Sequence, residues 1–222
     1  MLDWESDRWP EWVEWVHSFI HDSAHAPEKA AEGITKLYTN IGMEIARRRK
    51  QLGGMDTTSG VTGNTLLLVD QDRALRQQLI DEIDFIPKAI EEFLRSAGPG
   101  GGLYRRVTRD TEFHGEQLCQ GDRVLMMFWA ANRDPRAFRD PETIDIHRTN
   151  NRHMAFGLGP HRCLGSHHAR LMFTTLLRGI ITRIPDFAVQ WEGVERFEDC
   201  GSVYAVRHLP VTFTPGKRLP DT

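Results

Sequence analysis

The residues best suited to chemistry lie between Phe156 and Arg170, in "FGLGPHRCLGSHHAR". One cysteine, Cys163, stands among three histidines, His161, His167 and His168, with Gly157 and Gly159 before it and Gly165 after it. An amphipathic pattern, "SHHARLMFTTLLRGIITRI", begins just beyond and predicts a helix. The unpaired N–H groups and positive end of that helix favour a negatively charged sulfur at Cys163. The glycines remove side chains around it, so backbone can approach something bulky or adopt positive φ. These residue types allow four readings. Cys163 with His161 and His167 could hold zinc, although the spacing fits no common zinc pattern. Cys163 could be a nucleophile with a histidine base. It could bind another metal. It could also be a buried cysteine beside a helix end.

The whole pattern narrows these readings. Phe156-Gly157-x-Gly159-x-His161-x-Cys163-x-Gly165 resembles the haem-thiolate signature of the cytochrome P-450 superfamily at every marked position. The resemblance implies that Cys163 is the axial ligand of a haem b iron, a thiolate that favours O–O cleavage. It further implies that His161 contacts a haem propionate, that Phe156 packs near the sulfur, and that Gly157 and Gly165 let the loop approach the ring.

Other landmarks of the family occur in order. Glu92 and Arg95, three apart, share a helix face. "NRDPRAFRDPETIDIHR" comes after them and resembles the family's meander loop, in which Arg148 holds the place of the third member of a buried charge triad. A buried triad must be fully paired, so Glu92, Arg95 and Arg148 are expected to support the loop rather than react. Upstream, Gly53-Gly54-Met55-Asp56-Thr57-Thr58 resembles the oxygen-activating segment of the family's central helix. By that resemblance Asp56 and Thr57 are catalytic, an acid–alcohol pair that relays protons. Read from its residues alone, the same segment is a helix start capped by Asp56 or Thr57. "LYRRVTRD" resembles the strand that contacts the second propionate, with Arg105 the better match and Arg106 the alternative.

These residues need elements to hold them. Residues 11–22 carry Trp12, Trp15, Val16, Phe19 and Ile20 at helical spacing, and a second helix is expected from Pro27 to the basic run "EIARRRKQ". A helix is expected over "DTTSGVTGNTLLLV", whose Thr, Ser and Gly content is unusual for one. Two more are expected over "DRALRQQLIDEI", with Asp72 a cap, and "PKAIEEFLRSA", with Pro87 in its first turn. "GPGGG" breaks the chain at 98–102. Short strands are expected in "LYRRVTRD", on both sides of His114-Gly115, and at "FAVQW" and "LPVTFT". A long ordered loop joins the middle strands to the cysteine motif. The expected fold is mainly α with small β-sheets, the C-terminal portion of the cytochrome P-450 fold in a single partial domain, 1–222. Within it, residues 1–50 would roof the substrate pocket and 52–215 would carry the landmarks. No counterpart of the family's N-terminal sheet and first helices is expected, and part of the central helix is expected to be absent at "RRRKQ-LGG".

The bulk numbers are those of an ordinary globular protein. The 222 residues are 40% hydrophobic and 27% charged, and 31 acidic against 28 basic side chains give a net charge of −3. That balance argues against nucleic acid as a partner. Three widely spaced cysteines argue against a disulfide framework. The acidic start, "MLDWESDRWPEW", is unlike a signal peptide, and no apolar run reaches membrane-spanning length, so a cytoplasmic protein without a membrane anchor is expected. The resemblance implies a monooxygenase that takes electrons from a ferredoxin-type donor and its reductase and inserts one oxygen atom from O2 into a small apolar organic substrate. Arg162 and Arg170 are candidates to meet an acidic donor. The alternatives are a haem-binding remnant without catalysis and a zinc-stabilised module.

Overall fold

The computed structural model describes residues 53–197 and 203–216. The helices expected over 11–22 and after Pro27 lie outside the described residues. Contacts divide the chain into two compact units, 1–53 and 54–222. Apart from Gly53, the described elements belong to the second.

The long helix α1, Gly53–Gln71, carries the residues with unusual composition, and its packing explains them. Thr58, Thr62 and Thr65 are buried, and the Thr62 hydroxyl donates to the Thr58 carbonyl at 2.8 Å. That bond satisfies a buried hydroxyl without leaving the helix. At Gly60 a Cβ would stand 2.8 Å from the Ala205 methyl and 3.2 Å from the Pro99 ring. The missing side chain is what lets the segment around Ala205 cross the helix closely. Asn64 reinforces the crossing, donating to the Ala97 and Tyr204 carbonyls at 3.1 and 2.9 Å.

Helix α2, Arg73–Asp81, begins where Asp72 accepts from the Leu75 N–H at 3.0 Å, the expected cap. A 3-10 turn at Ile83–Phe85 leads into α3, Ile86–Ala97, which has Pro87 in its first turn. Most of α3 is buried, including Ile86, Ala89, Ile90 and Phe93 on its apolar side and Glu92 and Arg95 on its charged one. The core lies between α3 and the later helix α5, Ser166–Arg183, whose Phe173, Leu177 and Ile181 recur every four residues and are buried. α5 is less one-sided than its sequence implies, because Leu171 and Leu176 are exposed.

The β-structure is four two-stranded pieces among the described residues. β1, Gly102–Arg106, pairs antiparallel with β4, Arg123–Met127, with Arg105 opposite Val124. β2, Thr111–Phe113, and β3, Glu116–Leu118, form a hairpin over His114 and Gly115, both at positive φ (53° and 86°). Two consecutive left-handed residues suit the right-handed twist of the flanking strands. The expected strand at "FAVQW" is only β5, Ala188–Val189, paired with β8, Val211–Thr212. β6, Glu195–Arg196, and β7, Val206–His208, were not expected from the sequence. The long loop opens with one short helix, α4, Phe128–Ala131, and then runs irregularly to the cysteine motif. No helix among the described residues is long and apolar enough to cross a membrane.

Candidate functional site

The cysteine loop is built from backbone bonds that its glycines permit. Gly157 and Gly159 have φ of 64° and 68°, a region that residues with a Cβ rarely adopt. The reversal at Gly157 lets its N–H reach the Met154 carbonyl at 2.9 Å. The 3-10 turn Gly159–His161 then brings the chain back, so that the Cys163 N–H donates to the Phe156 carbonyl at 2.8 Å. Gly165 occupies the N-cap of α5. A Cβ there would lie 3.9 Å from the Cys163 Sγ, so a side chain at this position would grow beside the sulfur.

Cys163 is an exposed free thiol, which removes the buried-cysteine reading. Its chain neighbours Leu158 and Leu164 are 64% and 91% exposed, and the polar His161 and Arg162 beside them are exposed as well. Among the described residues no three His, Cys, Asp or Glu side chains converge as metal ligands. The zinc reading is therefore corrected: His161 and His167 are exposed around the motif rather than gathered on one point. His168 is likewise exposed on α5.

Behind the loop, Glu92, Arg95 and Arg148 come together as a buried cluster. Arg95 meets the Glu92 carboxylate through Nε and Nη2 at 2.9 and 2.7 Å, with the two side chains 0% and 1% exposed. Its remaining donors go to carbonyls of the long loop: Nη1 to Asn132 and Pro141 at 2.9 and 2.7 Å, Nη2 to Thr143 at 3.2 Å. Arg148 donates through Nε to Glu92 at 3.1 and 3.2 Å and through its other nitrogens to the Arg139, Asp140 and Thr143 carbonyls. The Asp145 N–H and the Asn151 amide complete the Glu92 shell at 3.0 Å each. Burial alone would push the Glu92 carboxyl up, but hydrogen bonds from Arg95 and the Asp145 backbone, with the Arg95 and Arg148 charges, hold it below the usual range.

Two connections that the sequence did not reveal tie this cluster to the cysteine loop. Buried Asn132 donates to the Arg95 carbonyl at 3.3 Å and accepts from the Met154 N–H at 2.6 Å. Glu91, the neighbour of Glu92, accepts from Arg170 Nε and Nη2 at 2.6 and 2.8 Å and pairs with His153 Nε2 at 3.0 Å. The Arg170 guanidinium also lies 4.7 Å from the centre of the Phe156 ring. The expectation that Arg170 awaits an acidic partner is thus corrected, since its charge is held by Glu91 inside the fold. Arg162 remains exposed. A Glu-Glu dipeptide was the only sequence signal for the second network, and most such pairs are solvated.

The other expected residues are more dispersed. Phe156 reaches Cys163 through its carbonyl, while its ring packs on Arg170 and lies 6.1 Å from the His153 ring. Asp56 is exposed in the first turn of α1 and Thr57 is half-buried. Arg105 is half-buried on β1 and donates to the Tyr104 carbonyl at 2.9 Å. Arg106 is exposed.

Comparison with known proteins identifies the family. Residues 67–195, more than half of the chain, match the family model described as Cytochrome P450. The chain is 37% identical over 173 residues to a steroid C26-monooxygenase of Mycobacterium tuberculosis, covering 76% of this chain and 45% of that relative. It is 35% identical over 162 residues to the 20-oxo-5-O-mycaminosyltylactone 23-monooxygenase of Streptomyces fradiae, covering 72% of this chain and 38% of that relative. Among solved structures, CYP109E1 from Bacillus megaterium in complex with corticosterone superposes with a TM-score of 0.70 at 26% identity, over 91% of this chain and 56% of that one. The chain thus spans less than half the length of these curated relatives and over half of this structural neighbour. The left-handed glycines before an exposed thiol, the buried charge cluster behind it and the matched span converge: the chain belongs to the cytochrome P450 family, bacterial in its relatives, and carries a partial form of that fold.

Proposed function

We propose that this chain forms the cysteine-bearing side of a haem-thiolate monooxygenase. The carrying observation is the cysteine loop, whose exposed thiol is set by the Phe156–Cys163 backbone bond and anchored to the Glu92 cluster through Asn132. The family implies a haem, and the residues present fit one. A single soft thiol is the donor, Gly165 leaves the space beside the sulfur clear, and Leu158 and Leu164 present an apolar surface suited to a flat macrocycle. A bound haem would supply the one-electron and dioxygen chemistry.

The chain's own residues supply position, charge and protons. Cys163 would hold the haem iron through its sulfur, on a loop that the Phe156–Cys163 backbone bond keeps in place. His161 and Arg105 are the candidates to meet the two carboxylate side chains of the macrocycle, each as a donor to an anion. Asp56 is exposed and can take a proton from water on a carboxylate oxygen, and Thr57 Oγ1 is the next hydroxyl along the helix to carry it inward. Glu92, Arg95 and Arg148 do no chemistry in this reading and keep the loop in place. The substrate is an apolar organic molecule, and electrons come from a ferredoxin-type donor with its reductase. The steroid C26-monooxygenase named among the relatives supports an apolar organic substrate as a class.

A second reading, haem binding without turnover, is favoured by the exposure of Leu103 and Tyr104 beside Arg105 on β1, at 48% and 62%. That much open apolar surface would admit water around the reacting group. Loading with haem, reduction and addition of carbon monoxide tests the common part: a red-shifted thiolate band is expected, and no haem uptake would sink both readings. NAD(P)H-driven product formation with added ferredoxin and reductase then separates them, and its absence from a chain with the thiolate band selects the second.

A further inference from the structure

The charge network at Glu91 lies outside the Glu92 cluster yet grips the segment before Cys163 at two points. His153 is one of them. Its side chain is 3% exposed. Its Nδ1 accepts from the Ala155 N–H at 3.2 Å, so the ring proton of the neutral tautomer lies on Nε2 and is donated to Glu91 Oε2 at 3.0 Å. Phe156 is the other, covered by the guanidinium that Glu91 holds in a two-pronged bond. A planar guanidinium fixed in this way is a rigid plate, and stacking on it restrains the ring. The backbone between the two grips is short. Met154 N–H is bound to Asn132 and Met154 O receives Gly157 N–H, and the next carbonyl that matters, Phe156 O, takes the Cys163 N–H.

We infer that Glu91 is a positioning residue for Cys163, acting through His153 and Arg170 to fix the Phe156 carbonyl that holds the ligand loop. This deepens the haem-thiolate reading and rests on it for its consequence at the iron, whereas the mechanical link can be read in the protein without haem. Glu91 touches neither the sulfur nor any reacting atom. Glu91→Gln keeps the shape and removes the charge, and an NH2 donor replaces one accepting oxygen opposite Arg170 or His153.

Amide hydrogen exchange on the full chain tests the link. Glu91→Gln is expected to speed exchange at Ala155 and Cys163 by about tenfold, the scale of one lost charge-assisted hydrogen bond, while α2 stays unchanged. Unchanged rates at those two amides, or equal acceleration in α2, would overturn the inference, the second because it marks global loosening. If Glu91→Gln fails to fold, Arg170→Lys decides by the same comparison, since it keeps the charge and loses the fork and the stacked plate. In the haem-loaded protein the reduced carbon monoxide complex of Glu91→Gln is expected to lose its thiolate band about tenfold faster than the parent. A parent chain that never shows that band would sink the haem reading and leave the exchange result standing.

Discussion

Arg95 shows how much one side chain decides here. All of its guanidinium nitrogens are bonded within the protein, to one carboxylate and three loop carbonyls, at full burial. A buried ion pair of this kind adds little net stability against an apolar substitute, but breaking it leaves an uncompensated buried charge. Glu92→Gln should therefore destabilise the chain by about 3–5 kcal/mol, checked by urea unfolding. A loss under about 1 kcal/mol would show the cluster to be solvated in solution. Residue identity made this cluster legible, because a carboxylate and a guanidinium three apart on a helix face need few other facts. Asn132 and Glu91 were not legible, because a single amide or a second carboxylate gains meaning only from partners 22 to 79 residues away.

At the scale of elements, α1 reverses the usual sense of helix composition. Threonine and glycine lower intrinsic helix preference, yet this helix is kept because its small residues let other backbone approach. Its sequence marked it as unusual but gave no partner, since the segment at Ala205 lies far along the chain. Gly60→Leu should push a side chain into the Ala205 methyl and the Pro99 ring and destabilise by about 1–3 kcal/mol. Thermal unfolding measures this, and an unchanged midpoint would mean that the crossing is loose. α2 and α3 were readable to within a turn from Asp72 and Pro87, local signals that packing did not override. β5 and β8 fall inside the expected "FAVQW" and "LPVTFT", whereas β6 and β7 were not readable, because such short pairings carry no periodicity of their own.

Among the described residues the firm side is the core between α3 and α5, while Leu158 and Leu164 near Cys163 are exposed. The firm side is also where acid should act. Burial pushes the Glu91 carboxyl up, but hydrogen bonds from Arg170 and His153 outweigh it and bring the group from 4.5 down to about 2. A folded value below the unfolded one means that this contribution is complete above about pH 4.5 and is lost as pH falls toward 2. Glu91→Gln should flatten that part of the acid-unfolding curve, leaving the share due to Glu92, whose shift has the same sign. A curve as steep as the parent's would show that Glu91 does not couple to folding. The proposed function depends on Cys163 being the iron's sulfur ligand, and one spectroscopic comparison decides it. Reduced, haem-loaded protein is exposed to carbon monoxide as the parent, as Cys163→Ala and as His161→Ala. A red-shifted thiolate band is expected in the parent and in His161→Ala, and none in Cys163→Ala. A band that survives in Cys163→Ala, or that vanishes only with His161, would contradict the assignment.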